Sequence, residues 1–199
     1  IAWRDSGMMG TDPNNRPECF WRADLDEAAL KLVNIIREVK PQVLITYDEF
    51  GGYGHPDHIK AHRVAMRASE LAADPNVRTG AAWEIPNIYW NTMPRSVIEA
   101  AMKKLAEKGE SFFGTNNIDD LPFVKPDELT HVVIDGVEFV DKKLAALAEH
   151  KTQLSMDAPF FALSDDLGKN VWGYEYYTQV KGVRSSNVDE KGLAVDLFS

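Results

Sequence analysis

The feature that most constrains the fold is an apolar run, Val43–Tyr47, followed by a glycine-rich turn and then a proline. The apolar and β-branched residues of the run predict a buried strand. The glycines at 51, 52 and 54 predict a tight turn, and Pro56 predicts the first residue of a helix that reaches about Ala73. A strand, a glycine turn and a helix in this order indicate an α/β protein, in which the carboxyl end of the strand is the usual place for a reactive site.

The rest of the chain repeats the alternation of strand and helix. After a loop over residues 1–23, Asp24 is predicted as the N-cap of a helix that ends before Pro41. Its predicted apolar stripe contains Leu25, Ala28, Ala29, Leu32, Ile35, Ile36 and Val39. Further elements are predicted as strands at 87–91 and 130–134, helices at 94–108 and 138–154, and a possible strand at 174–177. This alternation predicts a mostly parallel sheet covered by helices on both faces.

The composition points away from a nucleic-acid or membrane partner. The 199 residues carry a net charge of −9 and contain no basic run of the kind that phosphate binding needs. No apolar segment approaches the roughly 18 residues that a membrane span needs. Cys19 is the only cysteine, so no internal disulfide can form, and the cytoplasm is the expected compartment.

Two histidines and an aspartate, His55, Asp57 and His58, lie at the predicted turn between strand and helix. Catalytic zinc usually takes about three histidine or carboxylate ligands and a water. The two histidines cannot easily point the same way, so one could bind metal while the other faces a reacting group. Structural roles are the alternative: a turn histidine, a carboxylate that complements the helix dipole, and a packed helix residue. The clustering at a strand end favours a site.

Other motifs fit this segment less well. His58 and His62 are four residues apart, but Ile59 stands where a zinc metalloprotease needs glutamate. No lysine followed by serine or threonine comes after the glycines, which disfavours a phosphate loop. Tyr53 could donate a hydrogen bond to a developing oxyanion, or it could simply pack against the turn.

The segment Tyr47–His58 resembles the second signature of the LmbE-like (PIG-L) zinc-dependent deacetylase family. Within that family, Trp3–Met8 together with Gly54 is similar to the members that remove the acetyl group from N-acetylglucosaminyl-inositol in mycothiol biosynthesis. Members that act as mycothiol S-conjugate amidases tend to carry proline at the position of Gly54. The resemblance runs over most of the chain and implies an LmbE-like fold, with a mostly parallel Rossmann-like sheet flanked by helices.

The resemblance also implies roles for the residues of the turn. His58 would bind the single zinc ion, although ferrous iron would suit the same kind of ligand. His55 would stabilise the tetrahedral intermediate and protonate the leaving amine. Tyr53 would close on the substrate and help to hold the oxyanion. Asp57 would orient and tune a histidine.

The resemblance further implies that Asp5 hydrogen-bonds sugar hydroxyls and that Met8 lies on the same substrate loop. The family's other two zinc ligands and its general-base aspartate lie in an Ala-His-Pro-Asp-Asp-Glu motif, which this sequence lacks. One imidazole cannot hold a catalytic zinc ion at useful affinity. Because the chain also begins at Ile1 in mid-motif, we expect residues 1–199 to be the C-terminal two-thirds of a single LmbE-like domain. Its first βαβ portion would be missing, which would leave a strand edge and apolar helix faces exposed.

Three functions are in competition at this point. The first is a zinc-dependent amidohydrolase that deacetylates a small-molecule N-acetylglucosaminide, N-acetylglucosaminyl-inositol. The second is a non-catalytic sugar-binding protein, against which the retention of His55, Asp57 and His58 weighs. The third is a mycothiol S-conjugate amidase, which the site motif does not separate from the first because both reactions cleave an amide on glucosamine. The oligomeric state stays open.

Overall fold

The computed structural model describes residues 3–107, 109, 111, 112, 114–151 and 173–198, and these fall into two compact units. Unit 1 contains the described residues within 1–91, 178–185 and 197–199, and unit 2 contains those within 92–177 and 186–196. Among the described residues, no helix is both long and apolar enough to cross a membrane. The single-domain organisation remains a prediction.

Helices and strands alternate along the described chain. The helices are α1 (Leu25–Val39), α2 (Gly51–Gly54, a single irregular turn), α3 (Pro56–Ala73), α4 (Arg95–Glu107) and α5 (Val140–Ala148). The strands are β1 (Val43–Thr46), β2 (Asn87–Pro94), β3 (Val124–Lys125), β4 (Val132–Asp135) and β5 (Tyr174–Lys181). The predicted helix over 138–154 begins later than expected, at Val140, and ends earlier, at Ala148, while residues 152–154 lie outside the described residues.

The sheet has the strand order β1-β2-β5-β4, and β3 pairs with β2. β1 and β2 are parallel, with Thr46 opposite Trp90, and β2 and β3 are also parallel. β4 and β5 are antiparallel, with Val132 opposite Tyr177. The α/β class is confirmed, whereas the antiparallel pair departs from the expected parallel pattern because apolar spacing does not encode strand direction. β3 was not predicted, since two residues are too few to show a period.

Helix α1 begins where the sequence predicts, and a residue in the left-handed region ends it. The Asp24 carboxylate accepts a hydrogen bond from the backbone N–H of Glu27 at 2.9 Å, which confirms it as the N-cap. At the other end Lys40 has a φ of 51°, and its N–H donates to the carbonyl of Ile36 at 2.8 Å. A left-handed residue at this position is a common helix terminator, so the chain leaves the helix one residue before Pro41.

The core of unit 1 forms between α1, α3 and the strands. Its buried members are Ala29, Val33, Ile36, Ala68, Ala72, Ile85 and Ile88. The predicted apolar stripe of α1 was partly wrong, because Ile35 and Val39 are 50% and 66% exposed while Val33 is buried. The expected exposed strand edge is present too, since β1 ends the strand order and Ile45 is 46% exposed.

A buried arginine joins α1 to the end of α3. The Arg37 side chain is 5% exposed, and its guanidinium donates to five backbone carbonyls, those of Leu71, Ala72, Asp74, Val77 and Gly80. The last carbonyls of a helix have no partner inside the helix, and a cation suits their partial negative charge. Arg37 therefore satisfies a buried helix end. The sequence pattern gave no sign of this, because arginine on a helix usually faces solvent.

Unit 2 has a separate core beneath α4. Its buried members are Ile98, Ala101, Leu105, Phe112 and Leu121. A polar cluster joins α5 to β5: Lys143 Nζ lies 2.9 Å from Glu175 Oε1, and the Tyr177 hydroxyl donates to Glu175 Oε2 at 2.5 Å. Burial raises the pKa of Glu175, but the hydrogen bonds from Tyr177 and Lys143 together outweigh burial and lower the pKa below its usual value.

Replacing Glu175 by glutamine should destabilise the protein by about 0.5 kcal/mol at pH 7, because Lys143 and Glu175 are partly exposed and solvent screens their interaction. A carboxylate with a lowered pKa stabilises the fold above its unfolded value, about 4.3, and loses that effect as pH falls through the folded value. Urea unfolding at pH 7 and pH 3 should thus show a difference between Glu175→Gln and the wild type that closes in acid. The exposed Glu138→Gln is the control, and a difference independent of pH would contradict the assignment.

Candidate active site at the carboxyl end of β1

In the glycine turn after β1, Gly51–Gly54, the backbone packs closely against the first turn of α3. The Asp48 carboxylate accepts from the backbone N–H of Gly52 at 2.8 Å and holds the turn closed. Gly51 has a φ of +67°, and a Cβ atom there would lie 2.6 Å from the nitrogen of Ile59 and 2.8 Å from Cβ of His58. Only glycine fits this position, which confirms the tight turn expected from the sequence.

His55 is the N-cap of α3. Its Nδ1 accepts a hydrogen bond from the backbone N–H of Asp57 at 3.1 Å, and Pro56 is the first helical residue. A ring nitrogen that accepts carries no proton, so the neutral imidazole has its proton on Nε2. The role of a turn histidine therefore uses one ring nitrogen and leaves an Nε2–H group for a reacting partner.

His58 is held on three sides. Its Nδ1 lies 3.2 Å from the carbonyl oxygen of Gly51, to which it can donate, so that Nε2 keeps its lone pair. The ring of Tyr47 stacks on it with 4.2 Å between centroids and 8° between planes, and Tyr53 meets it edge-on at 5.0 Å. Burial lowers the pKa of His58, although the hydrogen bond to Gly51 acts in the opposite direction. A neutral, oriented imidazole is the form that binds a metal ion.

Tyr53 lies beside both histidines. The residue is 47% exposed, and its ring centroid is 6.2 Å from that of His55 and 5.0 Å from that of His58. Burial raises the pKa of Tyr53, and Tyr47 and Asp5 add to the effect. The phenol therefore stays protonated at neutral pH, as a donor to a developing oxyanion must.

The N-terminal loop reaches the first turn of α3. The Ser6 backbone N–H donates to Asp57 Oδ2 at 3.0 Å, and the Ser6 hydroxyl donates to Asp57 Oδ1. In the same loop, Asp5 Oδ1 accepts a hydrogen bond from the backbone N–H of Gly7 at 2.8 Å. Potential ligand atoms of Asp5, His55 and Asp57 all lie within 4.8 Å of one another. The structure thus brings one predicted substrate residue next to two predicted catalytic ones.

This trio of Asp5, His55 and Asp57 is a poor metal site by itself. Both oxygens of Asp57 already accept hydrogen bonds from Ser6, and Nδ1 of His55 accepts from the backbone. His58 is better prepared, since its Nδ1 is bound to a carbonyl and its Nε2 is left for a ligand bond. A catalytic zinc ion needs about three protein ligands, and the role of His58 as one of them stays a prediction.

Several supporting residues were not predicted from the sequence. The Asn14 amide donates to the carbonyls of Ser6 and Met8, the latter at 3.2 Å, and so fixes the loop on which Met8 is 48% exposed. His62 lies against the end of β1, with its Nδ1 2.9 Å from the Tyr47 carbonyl oxygen. Ser6 and Asn14 could not be recognised beforehand, because Ser6 meets Asp57 across 51 positions of the chain.

An α/β fold with histidines and carboxylates at a strand end is typical of metal-dependent enzymes. Residues 2–69 match the PIG-L family, described as GlcNAc-PI de-N-acetylase. A protein of Geodermatophilus obscurus, named 1D-myo-inositol 2-acetamido-2-deoxy-alpha-D-glucopyranoside deacetylase, is 52% identical over 99% of this chain and 67% of its own length. The protein of the same name from Streptomyces avermitilis is 52% identical over 92% of this chain and 64% of its own.

The chain belongs to the PIG-L family, as its resemblance over Tyr47–His58 predicted. It spans 64–67% of the length of the two relatives. Among solved structures, the conserved protein TT1542 from Thermus thermophilus is similar with a TM-score of 0.50 and 18% identity, covering 83% of this chain and 63% of that one. That likeness concerns the fold alone and agrees with the α/β architecture.

Proposed function

We propose that this chain is the larger part of a zinc-dependent deacetylase that removes the acetyl group from N-acetylglucosaminyl-inositol. The observation that carries the proposal is the pair His55 and His58, whose Nδ1 atoms are both engaged by the backbone so that both Nε2 atoms are left for chemistry. The names of the relatives, all deacetylases of an acetamido sugar on inositol, support the substrate.

We propose His58 as a ligand of one zinc ion, on the ground of its fixed tautomer and lowered pKa. When bound, zinc would supply a water of lowered pKa and polarise the acetyl carbonyl. Ferrous iron would suit the same imidazole ligand. In the same proposal the protein acts in the cytoplasm on a small molecule, without a nucleic-acid or membrane partner.

The chain's own residues would share the remaining chemistry. The Nε2–H of His55 would deliver a proton to the leaving amine. The Tyr53 phenol would donate a hydrogen bond to the oxyanion as charge develops on the acetyl oxygen. Asp5 and Met8, on the loop that lies against α3, would hold the sugar. Asp57 would keep the first turn of α3 attached to that loop.

The turn geometry favours the deacetylase over a mycothiol S-conjugate amidase. Gly54 has a φ of +89°, and a Cβ atom there would lie 2.9 Å from the Phe50 ring. Proline fixes φ near −65°, so the proline that those amidases tend to carry at this position would require a different turn. The turn seen here therefore belongs with the glycine-containing members.

The metal assignment predicts that His58→Ala in the full-length protein loses zinc and lowers acetate release by more than about 10²-fold. Replacing a residue that only supports a metal ligand already costs about 10–100-fold, so loss of the ligand itself should cost more. The measurement is zinc content after dialysis, together with acetate released from N-acetylglucosaminyl-inositol and amine released from a mycothiol conjugate. His62→Ala, four residues along the same helix, should keep both zinc and activity. Zinc retained by His58→Ala would contradict the role of His58 as a zinc ligand. Sugar binding by the wild-type protein without hydrolysis at any metal loading would indicate a binding protein.

A further inference from the structure

We propose that Ser6 is a positioning residue of the active site, which holds the carboxylate of Asp57 and thereby fixes the ring of His55. This inference rests on the proposed deacetylase function and adds to it a residue outside the histidine turn. Ser6 is fully buried in the loop that carries Asp5. It is tied to α3 by two hydrogen bonds, one from its backbone and one from its side chain.

The direction of these hydrogen bonds follows from the number of protons available. The Ser6 Oγ accepts from the backbone N–H of Trp21 at 2.8 Å. A hydroxyl has one proton, and its other neighbour is Asp57 Oδ1, so that proton must be donated to the carboxylate. The backbone N–H of Ser6 donates to Oδ2 at 3.0 Å. Asp57 is therefore gripped through both oxygens by one residue.

Ser6 is held in place against Asp57 because other hydrogen bonds fix the loop that carries it. The Ser6 carbonyl accepts from the Asn14 amide. Two backbone hydrogen bonds, Arg4 N–H to the Glu18 carbonyl and Phe20 N–H to the Arg4 carbonyl, both 2.9 Å, pair the loop with the segment that leads to Trp21. Side chains locked by such surrounding bonds hold a site more precisely than a free loop can.

Asp57 links Ser6 to His55, the proposed proton donor. Its backbone N–H is the donor to Nδ1 of His55, and its carboxylate lies within 4.8 Å of potential ligand atoms of His55 and Asp5. With Ser6 in place, both oxygens face the loop. Without the Ser6 hydroxyl, Oδ1 would lose its buried donor and could turn toward the His55 ring, which would compete with the backbone bond that sets the tautomer.

The test is a double-mutant cycle in the full-length protein, with Ser6→Ala, Asp57→Asn and the double variant. Ser6→Ala should lower kcat by about 10–100-fold with KM nearly unchanged, the usual range for residues that orient a functional group. In the Asp57→Asn background the same change should cost less than about threefold, because the partner of the hydroxyl is already altered. Asn14→Ala loosens the loop that holds Ser6 against Asp57, so its effect on kcat should be smaller than that of Ser6→Ala and should likewise shrink in the Asp57→Asn background.

A second measurement does not depend on turnover. The ¹⁵N chemical shifts of the His55 ring should report a single Nε2–H tautomer in the wild type and a mixture in Ser6→Ala. Equal effects of Ser6→Ala in both backgrounds, or an unchanged tautomer, would overturn the inference. A wild-type protein that carries zinc but releases no acetate would overturn the proposed function instead, and the tautomer measurement would still decide the role of Ser6.

Discussion

Replacing His55 by alanine should lower the rate of acetate release by about 10²–10⁴-fold, the contribution typical of a positioned general acid, while zinc stays bound. The expected loss has a chemical cause, because the Nε2–H that the structure leaves for the substrate disappears with the ring. Zinc should remain because His58 keeps its own hydrogen bond to the carbonyl of Gly51. The measurement is kcat of the full-length protein together with its metal content.

His55 also caps α3, so alanine would cost about 0.5–2 kcal/mol of stability as well. His55→Asn separates the two effects, because asparagine is a good N-cap but cannot deliver a proton at this point. We expect His55→Asn to regain the stability and to stay as inactive as His55→Ala. His150→Ala, at the end of α5, is the control that should change nothing. Loss of zinc in either His55 variant, or turnover close to wild type, would refute the assigned role.

Replacing Arg37 by methionine should lower the free energy of unfolding by about 3–5 kcal/mol, a large part of the 5–15 kcal/mol that holds a typical domain together. The change removes the donor of five backbone carbonyls at the end of α3, and each buried acceptor left without a partner costs about 1–3 kcal/mol before water compensates. Urea unfolding followed by circular dichroism measures the difference.

Two variants sharpen this test. Arg37→Lys keeps the charge but has fewer donors and no planar fork, so it should recover only part of the loss. Arg67→Met removes an exposed arginine of α3 that pairs with Asp26 and Glu70, and it should cost less than about 1 kcal/mol. If Arg37→Met cost no more than Arg67→Met, the carbonyl cluster would not contribute as described.

Local signals in the sequence predicted the elements whose determinants lie close together along the chain. Asp24 caps α1, and Pro56 opens α3, which ends at Ala73 as expected. The antiparallel direction of β5 and the exposure of Ile35 depend on distant segments, and single-sequence periodicity does not contain them.

The candidate site divides in the same way. His55, Asp57 and His58 are neighbours in sequence, so their clustering could be read directly. The hydrogen bonds of Ser6 to Asp57 and of Arg37 to Gly80 join positions 51 and 43 residues apart, and only the folded chain shows them. The catalytic and substrate-binding roles of these residues remain predictions.

The ring of His55 caps a helix and, in the proposed reaction, also supplies a proton. Each time the first turn of α3 frays, the backbone N–H of Asp57 leaves Nδ1 and the ring is free to swing. The reactive geometry therefore lasts only as long as that turn stays closed, and local opening costs far less than melting the core. If His55 acts as proposed, local opening of this one helical turn would stop the reaction at temperatures at which the core is still folded.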